Sequence, residues 1–87
     1  MSQLNQRAGL IEQIHHHLAT ARTIKPASQA ERELLDRFQA KRLAFRATVA
    51  AYDDENGCPL LDECYGLARK IATALHEGRI VVKGSAI

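Results

Sequence analysis

The 87-residue sequence contains no tryptophan, and its aromatic residues are limited to two Phe and two Tyr. Aromatic side chains supply the largest blocks of buried area, so the core has to be assembled from Leu, Ile and Ala. In a chain this short, folding buries only about 60% of the surface that the unfolded polypeptide exposes. Stability is therefore marginal, and a second copy or a partner is a natural supplement. With two Pro and five Gly, the sequence is globular and helical rather than disordered or loop-rich. Cys58 and Cys64 are too few for a disulfide scaffold. Their spacing across an expected helix start suits pairing poorly, so they read as free thiols of a cytoplasmic protein. No segment approaches the roughly 20 apolar residues of a membrane span, and Met1 to Gln6 carries no basic stretch leading into an apolar run. Neither charge sign dominates: 12 basic residues against 10 acidic leave a net charge of +2, too even to indicate nucleic acid by itself.

What is present is helical periodicity. At about 100° per residue, Leu4, Ala8, Ile11, Ile14, Leu18 and Ala19 share one face, which predicts a first helix from about Leu4 to Thr23. Pro26 disfavours helical geometry at Lys25 and cannot donate a backbone hydrogen bond, so this helix ends before it. Ser28 and Glu31 have the spacing of a capping box, in which each side chain satisfies the other's free backbone N–H, and this starts a second helix over Gln29–Tyr52. That helix carries a main stripe of Leu34, Leu35, Phe38, Phe45, Val49 and Tyr52. Nearly opposite lies a second seam of Ala40, Leu43, Ala47 and Ala50. Apolar residues on two sides predict a central helix or one at a subunit interface, where small residues let another helix approach closely.

Asn56-Gly57 is a strong turn signal, and Pro59 suits the first turn of a third helix, expected over residues 59–77 with Asp62 and Glu63 near its positive end. Leu60, Leu61, Cys64, Leu67, Ala68, Ile71, Ala72, Ala74 and Leu75 form its apolar arc, and Gly78 terminates it. Residues 79–87 form an extended tail. Ile80, Val81 and Val82 are β-prone, so the tail packs across the helices, pairs with the tail of a second copy or joins a partner's sheet.

The functional candidates are weighed against helix geometry. His15, His16 and His17 point about 100° apart and cannot converge on one ion. Glu12 and His16 share a face, but a zinc site needs further ligands, and only His76 and the two cysteines offer themselves; a mixture of surface and partly buried histidines is the preferred reading. The stretch around Gly57 resembles an EF-hand calcium loop in part, with Asp54, Asn56 and Glu63 at ligand positions. Tyr52 holds the first ligand position and Pro59 the loop-pairing position, however, so an acidic solvated turn is preferred.

Arg37, Lys41, Arg42 and Arg46 form a basic stripe on the second helix that would suit phosphates. Acid before base is also what the helix dipole favours in any solvated helix. Arg42 lies inside the main apolar stripe, so it either reaches out to water or pairs with a carboxylate from a neighbouring helix. Tyr65, Arg69 and His76 line one edge of the third helix. No nucleophile, catalytic carboxylate pair or phosphate loop is recognisable.

These observations predict one all-α domain, an up-down-up antiparallel three-helix bundle with an extended tail that forms a homodimer. The expected function is non-enzymatic: a cytoplasmic protein-protein interaction or adaptor module without a cofactor, bound metal or membrane contact. It would use Ala40, Leu43, Ala47 and Ala50 or Ile80, Val81 and Val82 as its contact surface. The alternatives are an accessory nucleic-acid-binding protein using Arg37, Lys41, Arg42 and Arg46, and a metal-binding helical protein.

Overall fold

The computed structural model describes the backbone of residues 3–84 and side chains from Gln6 onward. Leu4's place in the apolar stripe, and residues 85–87 of the expected tail, lie outside the described residues. Three helices account for most of the described chain: α1 (Gln3–Ala19), α2 (Gln29–Ala50) and α3 (Asp54–His76). Two short strands complete it, β1 (Thr23–Pro26) between α1 and α2, and β2 (Ile80–Lys83) after α3. No helix among the described residues is long and apolar enough to cross a membrane.

The strands correct two expectations. The first helix stops at Ala19; of the residues expected to finish it, Thr20–Arg22 turn away and Thr23 opens a strand that pairs antiparallel with the tail, Ile24 opposite Val82 and Lys25 opposite Val81. β-branched Thr23 and Ile24 favour this geometry, and Pro26 bars the helical alternative at Lys25. Ala27 donates its N–H to the Arg79 carbonyl, so ladder bonds fall on alternate residues, and the nitrogen of Pro26 faces away from β2. The tail is thus one strand of an internal sheet, its partner supplied from the far side of two helices.

The helix α3 also starts earlier than expected. Asp53 caps it by accepting from the Asn56 backbone N–H at 3.3 Å, and Asp54 and Glu55 sit in the first turn where the dipole favours negative charge. Asn56 and Gly57 therefore lie inside the helix, and Pro59 sits within it rather than at its first position, depriving the Glu55 carbonyl of its usual donor. Gly57 is buried because Thr48 of α2 presses on it: a Cβ there would lie 2.9 Å from the Thr48 hydroxyl oxygen.

Both α2 and α3 end in the same left-handed stop, in which two reversed backbone bonds satisfy the last carbonyls. At α3, Gly78 adopts φ +78°, with Gly78 N–H to Leu75 and Arg79 N–H to Ala74. At α2 the left-handed residue is Tyr52, φ 55°, with Tyr52 N–H to Val49 and Asp53 N–H to Thr48. Glycine adopts this conformation without strain, whereas tyrosine has to be forced into it.

The core is gathered around α3, which packs against both α1 and α2. It contributes Leu61, Cys64, Ala68, Ile71 and Ala74; α1 adds Ile11, Ile14 and Leu18, α2 adds Phe38 and β2 adds Ile80. The central helix is therefore α3, not the two-faced α2. Ala68 and Ala74, both fully buried, supply the small side chains that permit close approach.

Candidate functional site

Among the described residues only one arginine is buried. Arg42 is 7% exposed, and it reaches from α2 to Glu12 on α1 through a two-pronged ion pair, Nε to Oε1 at 3.2 Å and Nη2 to Oε2 at 3.0 Å. Of the two expectations for Arg42 inside the apolar stripe, reaching out to water or pairing with a neighbouring helix's carboxylate, the structure shows the second. Hydrogen bonds from Arg42 hold the Glu12 carboxyl below its ordinary pKa of 4.5. Cys64 of α3 lies close to this pair at full burial, and loss of solvation pushes its thiol up to about 11. Such a thiol is inert, the reverse of an activated nucleophile. Half-buried His15 has an Nδ1 atom that is shut off from solvent and finds no protein partner, whereas His16 and His17 are exposed.

The remaining sequence candidates are scattered. Glu12 is engaged by Arg42, and His16 and His76 are both exposed. Among the described residues no group of three or more His, Cys, Asp or Glu side chains is arranged to hold a metal ion. The acidic turn that resembles part of a calcium loop is helical from Asp54 onward, which removes the looped backbone such a site requires.

The basic stripe of α2 is divided by the packing. Arg42 faces inward toward Glu12, while Lys41 turns toward α3 and pairs with Glu63 at 2.7 Å. Arg37 and Arg46 remain exposed without ion pairs among the described residues. On α3, Arg69 and the incoming Arg7 of α1 lie over the Tyr65 ring at 5.9 and 5.6 Å, and Arg7 also pairs with Asp62. The Arg7 contact ties α1 to α3, while that of Arg69 lies within α3.

At the start of α2, the capping expectation is met in position but not in bonding. The Ser28 hydroxyl donates to the Glu31 carboxylate instead of accepting from a backbone N–H, and Arg79 donates to the same carboxylate at 3.0 Å. Both bonds hold the Glu31 carboxyl below its ordinary value.

The proposed contact surfaces fare differently. Ala40, Leu43, Ala47 and Ala50 all lie on the exposed side of α2, joined there by Ala44 and Ala51, and Leu43 is 64% exposed. In the tail, Ile80 is buried in the core and Val82 is half-buried, which leaves Val81 as the exposed apolar residue among its described residues. Ile80 is therefore a core residue and not part of a free contact surface. Between the end of α2 and the start of α3, Phe45, Thr48, Val49, Cys58 and Leu61 line a hollow of about 160 Å³. That is below the roughly 300 Å³ at which small-molecule sites begin. Comparison with protein families, curated proteins and solved structures finds no match to this chain.

Proposed function

We propose that the chain is a non-enzymatic, cytoplasmic interaction module whose three helices run up-down-up and which self-associates through the outer face of α2. The observation that carries this reading is the open apolar run of Ala40, Leu43, Ala44, Ala47, Ala50 and Ala51, which neither α1 nor α3 covers. Exposed single hydrophobics are ordinary, but a continuous row on one helix is a feature of contact surfaces.

A second copy suits this face because the face complements itself. In an antiparallel pairing centred on Leu43, the two Leu43 side chains meet at the two-fold axis, flanked on both copies by the small Ala40, Ala44 and Ala47. Tyr52 adds support: it is 93% exposed, held in a strained conformation and gains no burial within its own chain. The free thiols and the inert Cys64 accord with a reduced, non-catalytic protein.

Analytical ultracentrifugation of the wild type and of a Leu43→Glu, Ala47→Glu variant tests the proposal. The expected result is a dimer that dissociates to monomer in the variant, with helical content unchanged. Monomers in both cases would refute it.

A further inference from the structure

The pairing of β1 with β2 creates a surface that neither strand presents alone. Buried Ile80 and half-buried Val82 and Pro26 point toward the helices, so Thr23, Lys25, Val81 and Lys83 line the outer face of the ribbon. Lys25 and Lys83 are diagonal neighbours across the two strands. Arg22 flanks them at the end of the ribbon: its N–H bonds the Lys83 carbonyl, and its side chain lies against Gly84, where a Cβ would come within 3.2 Å of it. Arg22, Lys25 and Lys83 are exposed, and none makes an ion pair among the described residues.

The contrast with the rest of the molecule is the absence of acidic side chains: Arg32, Arg37, Arg46, Arg69 and Lys70 are also without ion pairs among the described residues, but they lie on helices that carry Asp and Glu as well. Arg7, Lys41, Arg42 and Arg79 each hold a carboxylate. Residues 20–27 and 79–84 contain no Asp or Glu, and the nearest carboxylates in sequence, Glu31 and Glu77, are engaged by Arg79. Positive charge balanced over the whole chain is thus concentrated and unbalanced on one ribbon face.

We propose that this face binds the phosphate backbone of nucleic acid, with Arg22, Lys25 and Lys83 as the phosphate contacts. A two-stranded ribbon fits the roughly 12 Å major groove of a duplex, and a Thr hydroxyl between cations is a common additional phosphate donor. An anionic membrane suits the face less well, because among the described residues Val81 is the sole apolar side chain on it, Ile24 lying on the helix-facing side, and interfacial binding draws on larger inserted side chains. The proposal is independent of self-association through α2.

Fluorescence anisotropy with a short labelled DNA duplex, and the RNA duplex of the same sequence, tests it. Three phosphate contacts give a slope of about −2.7 in a plot of log affinity against log salt concentration, and Lys25→Gln with Lys83→Gln reduces this to about −0.9. Arg37→Gln with Arg46→Gln on α2 leaves the slope unchanged. Should the first pair disturb the fold by circular dichroism, Arg22→Gln with Lys83→Gln reports the same contacts. A wild-type slope shallower than about −1 would overturn the proposal. So would loss of binding in the α2 pair but not in the ribbon pair. Equal or tighter binding to polyglutamate or to phosphatidylserine vesicles would also overturn it.

Discussion

The ion pair between Glu12 and Arg42 joins α1 to α2, and its two partners differ in burial, so removing each has a different expected cost. Glu12→Ala leaves the guanidinium buried without its two hydrogen bonds at 3.2 and 3.0 Å. Breaking a fully buried pair costs about 3–5 kcal/mol, and an exposed one about 0–1 kcal/mol. Because the Glu12 side chain is 51% exposed, water can reach the arginine by the same opening, and an intermediate cost of about 2 kcal/mol is expected. In a domain of this size that lowers the melting temperature by about 8–16 °C. Arg42→Met replaces the cation with an apolar side chain of similar length and costs less than about 1 kcal/mol, since the remaining Glu12 carboxylate is solvated.

The double variant is expected to be no less stable than Arg42→Met alone, which makes the two substitutions strongly non-additive. Thermal and urea unfolding followed by circular dichroism measure all four proteins. The acid limb supplies an internal check. The carboxyl of Glu12 is held below 4.5 in the native state, so its contribution is complete above that pH and disappears as pH falls through the lowered native value. The gap between wild type and Glu12→Ala should be constant near neutrality and close under acid conditions. A melting shift under about 3 °C for Glu12→Ala, or a larger loss for Arg42→Met, would refute this account and point to packing of the arginine stem alone.

The two helix stops should respond in opposite directions when their left-handed residues are exchanged. Tyr52→Gly is expected to stabilise the monomer by about 0.5–1 kcal/mol, and Gly78→Ala to destabilise it by about 1 kcal/mol, both read by urea unfolding. Gly57→Ala should fail to deliver the helix-propensity gain of about 1 kcal/mol while Thr48 is present and recover it in a Thr48→Ala background. Equal effects in the two backgrounds would mean that the 2.9 Å approach is not limiting. In alkylation followed by mass spectrometry, exposed Cys58 should react in the native protein and Cys64 only after denaturation. Equal native rates would contradict burial of Cys64.

Much of the helical content was legible in periodicity, because an amphipathic helix is specified by residues three and four apart. The stripe Leu61, Cys64, Ala68, Ile71 and Ala74, the start of α2 after Ser28 and the glycine stop at Gly78 all follow from local patterns. The ion pair of Arg42 was half legible: a cation inside an apolar stripe demands an acceptor, but which carboxylate supplies it depends on how α1 lies on α2. The start of α3 was misjudged because Asn56-Gly57 and Pro59 are strong local signals, and the cap at Asp53 together with the contact between Gly57 and Thr48 outweighs them.

The sheet and the surfaces it creates belong to the tertiary structure. Thr23–Pro26 lacks a clear periodic signal, and its partner Ile80–Lys83 lies two helices away, so no local window contains the interaction that makes either segment a strand. The same long-range closure buries Ile80 and brings Lys25 and Lys83 together on one face, with Arg22 beside them at the end of the ribbon. Burial of apolar stripes is thus encoded residue by residue along this chain. Which stripe becomes central, which cation is neutralised and which charges gather depend on distances between segments, and those arise only when the chain closes on itself.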